Sequence, residues 1–192
     1  LYAMVSAMHP VKTNNIRVVQ ILGGLGPPES YLHPSSICSR IAYFLGSKYT
    51  LLPSPGIAQS KETKGAFLSD FHVKNALKLI QQVNVVYVGI GSLTPNALTV
   101  REKIISPKER GDLLGKGAVG DIGLRYFDIN GKAIQSDFED RVIGMTFDQL
   151  KKRGRAIGVA GGPDKYETVL GALRGKYINV LITDRTLAEK LV

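Results

Sequence analysis

The sequence predicts an α/β fold, a doubly wound and mostly parallel sheet with a small β-hairpin insertion. Three observations predict it. Apolar runs recur at "IRVVQILGG" (16–24), "VVYVGIGSL" (85–93), "RAIGVAGG" (155–162) and "INVLITD" (178–184). Such runs suit parallel strands buried on both faces. Helix-like stretches stand between them, and that alternation implies a parallel sheet wound by right-handed crossovers. The third is "AVGDIGLRYFDINGKAIQ" (118–135), which breaks the alternation. It reads as two extended segments joined by "DINGK", whose Asn-Gly pair signals a hairpin turn.

Each element has a local warrant. Leu1, Met4, Val5 and Met8 fall at i, i+3, i+4 and i+7, the apolar stripe of a helix. No capping residue precedes Leu1, so the chain is expected to be truncated at its N-terminus. The strand 16–24 ends on glycines. "SSICSRIAYFLGSKY" (35–49) predicts a helix capped by Ser35 or Ser36. "TLLPSP" (50–55) predicts a short strand stopped by prolines. "GPPESYLHP" (26–34) and "PSPGIAQSKETKG" (53–65) read as loops. "VKNALKLIQQV" (73–83) is an amphipathic helix leading into strand 85–93. "SPKERGDLLGKG" (106–117) opens on Ser106 with Pro107 in its first turn. "TFDQLKKR" (146–153) opens on Thr146 with Gln149 three residues on, close to a capping box. Strand 155–162, helix "KYETVLGALRG" (165–175), strand 178–184 and helix "RTLAEKLV" (185–192) complete the chain.

The 192 residues suffice for one α/β domain. No apolar run approaches the ~18–20 residues of a membrane span. The single cysteine, Cys38, excludes an internal disulfide and fits a reducing, cytoplasmic compartment. Lys and Arg outnumber Asp and Glu by 25 to 16, a balance that attracts phosphorylated ligands or polyanions. The densest cluster, "KKRGR" (151–155), reads first as a solvated turn and second as a polyanion contact. No nucleic-acid-binding motif is readable within the chain.

In a doubly wound sheet, ligands bind outside the carboxyl ends of the strands. Three such ends are glycine-rich: Gly23, Gly24 and Gly26; Gly89, Gly91 and Ser92; and Gly161 and Gly162, followed by Lys165. Glycine lets backbone N–H groups approach an anion, and a following helix adds its positive end. Lys165 supplies a full charge and Ser92 a hydroxyl. Asp121 is a candidate acceptor for ligand hydroxyls, or a base. Asp128 reads as a turn former. His9, His33 and His72 lack metal spacing, and no nucleophile–histidine arrangement emerges. "GIGSLT" is not a dinucleotide fingerprint and "GGLGPPES" is not a P-loop. No metal or cofactor is expected.

Taken with "GKGAVGDIGLRYFDINGKAI", "RVIGMTFDQL" and "GVAGGPDKYETVLGALRGKYINVLITD", these strand ends resemble the effector-binding domain of the SorC/DeoR-like bacterial sugar-responsive transcriptional regulators. The resemblance covers the whole chain. It implies a single Rossmann-like domain over residues 1–192, similar to phosphosugar isomerases and deaminases. It also implies a helix-turn-helix and a first phosphate loop upstream of this chain. The effector it implies is a phosphorylated sugar, with Gly161, Gly162 and Lys165 holding the phosphate. Gly23, Gly24, Gly26, Gly89, Gly91 and Ser92 would flank the sugar, with Asp121 nearby. Operator DNA would be bound through the upstream domain, and the protein would be a homo-oligomer. The expected role is therefore sensing. Isomerase or deaminase activity on a sugar phosphate is the alternative.

Overall fold

The computed structural model describes residues 1–26 and 33–192. Most of the proline-rich stretch 26–34 therefore lies outside the described residues. The chain divides into two compact units: residues 1–83 with 141–145, and residues 84–140 with 146–192.

The first unit comprises α1 (Tyr2–Ser6), β1 (Arg17–Val19), α2 (Pro34–Phe44), β2 (Lys48–Thr50), α3 (Lys61–Ser69) and α4 (Phe71–Ile80). β1 and β2 pair in parallel, Val18 opposite Tyr49, with α2 as their crossover. Residues 141–145 return through this unit. Leu22 bridges Gly144 and Ile57 bridges Val142, both antiparallel. The core gathers Val5, Cys38, Ala42, Val73, Ala76, Ile80, Val142 and Ile143. Of the N-terminal apolar stripe, only Val5 is buried. Burial pushes the Cys38 thiol up to about 11, which makes it a packing group rather than a nucleophile.

Several boundaries differ from expectation. α2 is capped not by a serine but by His33, whose Nδ1 accepts from the Ser35 N–H at 3.3 Å, with Pro34 in the first turn. The strand expected at 50–55 runs instead over Lys48–Thr50, because parallel pairing with β1 fixes its register. The stretch 53–65 is not all loop. Ser60 Oγ accepts the Thr63 N–H at 3.2 Å and opens α3. That helix buries no residue fully, so no apolar stripe announced it. Asp70 starts α4 two residues early by accepting the N–H groups of His72 and Val73.

The second unit comprises β3 (Val85–Gly89), β4 (Gly91–Ser92), α5 (Leu98–Arg101), α6 (Pro107–Gly115), β5 (Ala118–Ile122), β6 (Arg125–Asp128), α7 (Phe147–Lys151), β7 (Arg155–Val159), α8 (Tyr166–Arg174), β8 (Val180–Ile182) and α9 (Arg185–Leu191). β3, β7 and β8 form a parallel ladder in that order, and β4, β5 and β6 an antiparallel one. Residues 85–93 are thus two strands in two ladders, divided at Ile90. β3 is also not buried on both faces. Val86 and Val88 are buried, while Val85 and Tyr87 are 47% and 43% exposed. The register puts Val180 and Ile182 on that same open face.

The hairpin turn also moves. β5 and β6 are joined by Gly123 and Leu124, both at positive φ (60° and 64°), the signature of a two-residue primed turn. The Asn-Gly turn follows β6. There Asp128 Oδ1 accepts the N–H groups of Asn130 and Lys132 at 2.9 and 2.8 Å, which makes Asp128 a turn former. Phe127, Phe147 and Tyr177 pack against each other below this ribbon, with the Phe147 and Tyr177 rings stacked at 3.9 Å.

α6 and α7 begin with full capping boxes, Ser106 with Glu109 and Thr146 with Gln149. Replacing Ser106 by alanine leaves the Glu109 N–H without its side-chain partner. It is expected to cost about 1 kcal/mol, read as a lower urea midpoint with an unchanged slope.

Candidate functional site

The second unit concentrates its ionisable chemistry where β3 gives way to β4. β3 ends at Gly89, paired with Val159 at the end of β7, so both strands present their carboxyl ends side by side. After β7 the chain passes Gly161 and Gly162 and makes a short 3-10 turn, Pro163–Lys165, before α8. That turn throws the Lys165 side chain back across the strand ends. Its Nζ donates to the Ile90 carbonyl oxygen at 2.8 Å, one residue from Gly91.

The antiparallel ribbon delivers the acid. Gly91 pairs with Asp121 and Ser92 with Gly120. Glycine at 91 leaves room for the Asp121 carboxylate, which a β-carbon there would displace. Asp121 is 6% exposed. Its Oδ2 accepts the Leu124 N–H at 3.0 Å, while Oδ1 is buried without a hydrogen-bond partner in the described structure. Such a group is rare, because an unmet buried acceptor carries its desolvation cost in full.

The electrostatics follow from this burial. Desolvation pushes the Asp121 carboxyl up to about 6, partly countered by the Leu124 N–H and the Lys165 charge. Desolvation lowers Lys165, partly countered by Asp121 and Asp164. Tyr126, the register partner of Asp121, is raised well above the ordinary phenol range, by burial first and then by the charge of Asp121. An opposed acid and base, both perturbed by desolvation and each feeling the other's charge, make this the candidate site.

The remaining candidates sort by what their groups already do. Ser92, next to Gly91 in β4, is buried, its Oγ 3.2 Å from Thr94 Oγ1. Gly89 lies at the end of β3. The Gly162 N–H donates to Asp184 Oδ2 at 2.7 Å, and Asp184 also caps α9 through the Leu187 N–H. These amide donors hold the Asp184 carboxyl below its ordinary range. The Gly162 amide is therefore spent on a carboxylate rather than open to a ligand. Gly23, Gly24 and Gly26 belong to the other unit. Gly23 N–H donates to Ile143 O at 3.0 Å and Gly24 N–H to Ser54 O at 2.9 Å, while Gly26 has a φ of 70°. The structure thus gathers Gly91, Asp121 and Lys165, with Gly89 and Ser92 flanking. Thr94 and the part Asp184 plays beside Gly162 went unnoticed in the sequence, since a lone Thr after a strand and a "TD" at the end of another carry no spacing signal. Among the described residues no group of three or more His, Cys, Asp or Glu could hold a metal, and no helix is long and apolar enough to cross a membrane.

Residues 1–192 match the Sugar-bind family model, which describes a sugar-binding domain. The chain is 32% identical over its full length to the deoxyribonucleoside regulator of Bacillus subtilis (strain 168), covering 61% of that protein. It is 29% identical over 182 residues to the sorbitol operon regulator of Klebsiella pneumoniae, covering 94% of this chain and 58% of that one. The crystal structure of the full-length sorbitol operon regulator SorC from Klebsiella pneumoniae superposes with a TM-score of 0.89 at 27% identity, over 99% of this chain and 62% of that one. The chain thus spans about 60% of the length of these two curated relatives.

Proposed function

Because the chain belongs to the Sugar-bind family of sugar-binding domains along its whole length, we infer that it is the effector-sensing domain of a sugar-responsive transcriptional regulator. The effector is a phosphorylated sugar, held in the second unit where Lys165, Gly91 and Asp121 meet. One observation carries the reading: a half-buried ammonium and a buried carboxylate with an unmet oxygen stand together at the strand ends. The ammonium suits a phosphate, which would restore the solvation Lys165 has lost. The carboxylate oxygen suits a sugar hydroxyl. Binding would shift the packing of a homo-oligomer and so alter operator binding through a segment upstream of this chain. The carboxylate beside Gly162 would repel a phosphate there and favours Lys165 as its partner.

A panel of phosphorylated and unphosphorylated sugars, scanned by thermal shift, tests this. One phosphosugar at a hundredfold excess over its Kd should stabilise the chain by about 2.7 kcal/mol, and its dephosphorylated form by far less. Lys165→Ala should weaken that binding about 10- to 100-fold by calorimetry, the range for a hydrogen bond to a charged group. The same substitution should leave the chain folded. Equal affinity in the variant would remove Lys165 from the site. Turnover of ribose 5-phosphate or glucosamine 6-phosphate would replace the sensor by an isomerase or deaminase.

A further inference from the structure

A second charged region lies at the opposite end of the same strands. Arg155 opens β7, and the Asn179 side chain ties that end to the approach of β8. Its Oδ1 accepts the Ala156 N–H at 2.9 Å and its Nδ2 donates to Gly154 O at 3.1 Å. Lys151, the last residue of α7, sits 4.6 Å over the Tyr177 ring. The Tyr177 hydroxyl donates to Gly131 O at 2.8 Å, and the Arg174 guanidinium to Ile129 O at 3.2 Å. These contacts draw α7, the end of α8 and the Asn-Gly turn into one rim. The rim exposes Lys132, Lys151, Lys152, Arg155, Arg174 and Lys176.

Little opposes this charge. The acids whose fields reach Tyr177 are Asp128, Glu139 and Asp148. Glu139 is paired with Arg125 at 2.9 Å, which leaves Asp128, engaged by two backbone N–H groups, and the exposed Asp148 against six cations. The rim therefore keeps a cationic excess of its own. The aromatic rings of the region, Phe147 and Tyr177, are buried. The rim therefore offers no stacking platform of the kind that holds single strands. Nor does it offer the aromatic anchors that protein interfaces and membrane surfaces favour. What remains is a field of flexible cations, which suits the regular phosphates of a duplex.

We propose that this rim is a sequence-independent contact for the phosphate backbone of duplex nucleic acid. It lies away from the strand ends that carry Lys165, and it does not rest on the effector reading.

Fluorescence anisotropy of this chain with a short labelled duplex of arbitrary sequence, repeated across salt concentrations, tests it. Four or five neutralised phosphates give a log–log slope of about −4. The triple variant Lys152→Glu, Arg155→Glu, Lys176→Glu should bind at least about tenfold more weakly at low salt, with a slope shallower by about 2 to 3. A control with the same change in charge, Lys48→Glu, Lys74→Glu, Lys78→Glu in the first unit, should keep the slope. Should the triple variant fail to give a cooperative melting transition, the glutamine versions of the same three positions are read instead and must still flatten the slope. Equal losses in rim and control variants would reduce the effect to net charge and overturn the proposal. An unchanged slope in the rim variant would do the same, as would tighter binding to single strands. Binding to anionic lipid vesicles without binding to duplex would assign the rim to a membrane surface instead.

Discussion

Replacing Asp121 by asparagine should stabilise the unliganded chain at neutral pH and weaken the proposed effector binding. The carboxyl sits at about 6 in the fold against an ordinary 3.8. An acid raised by folding binds its proton more tightly folded than unfolded. Its contribution to stability is therefore full below about pH 4 and is lost as pH rises through about 6. The gap corresponds to about 3 kcal/mol above pH 6. Asparagine keeps an oxygen for the Leu124 N–H and removes the charge. It also buries an amide group and withdraws a charge that supports the Lys165 ammonium, which returns part of the gain. A net stabilisation of about 2 kcal/mol at pH 7 is expected, vanishing near pH 4, in denaturant titrations at several pH values. Affinity for the effector should fall about 10- to 100-fold, because a charge-assisted acceptor is gone. In the wild-type chain the same affinity should decline as pH drops below 6. A variant less stable than wild type at pH 7 would mean that Asp121 holds the ribbon together, and its role as a waiting acceptor would be lost.

A buried group left unmet is a departure from local sequence rules, which is why the candidate site was only partly legible in the sequence. Lys165 could be placed at the correct strand end, because a lysine following a strand, two glycines and a turn has few other places to go. Asp121 could be singled out but not positioned. Its neighbour Gly91 is 30 residues away in sequence, and only the antiparallel pairing of β4 with β5 brings them together. The division of 85–93 between two ladders was invisible for the same reason, since an unbroken apolar run does not announce where pairing changes. Helix starts were legible where the cap is a serine or threonine with its capping-box partner, at Ser106 and Thr146. They were misread where it is His33 or Asp70, and where α3 lacks an apolar face to mark it. The glycine pairs were the most ambiguous signal. Gly23 and Gly24 spend their amides on neighbouring backbone, and Gly162 spends its own on Asp184. A glycine read as room for a ligand can equally be room for the protein's own chain.

Gly131 shows that second use, and its substitution should have the largest effect on stability. Its φ is 78°, where an L side chain costs about 1 to 2 kcal/mol. A methyl group there would also overlap the backbone of Gly175 and stand 2.7 Å from the Gly171 carbonyl oxygen. That oxygen already accepts the Gly175 N–H at the end of α8. Neither neighbour is a side chain that could swing away. Relief would have to come from moving the Asn-Gly turn off the helix, which would break the bond from Tyr177 to Gly131 O and loosen the stack of Phe147 on Tyr177. Gly131→Ala is therefore expected to cost about 3 to 5 kcal/mol by chemical denaturation, adding the conformational cost to that of overpacking. Gly123 is the control. It has a similar φ of 60° but nothing within 4 Å of where a β-carbon would stand, so Gly123→Ala should cost only about 1 kcal/mol. Equal losses at the two positions would mean that backbone conformation alone matters. A large loss at 131 only would place the difference in the back-to-back packing of the Asn-Gly turn and the end of α8.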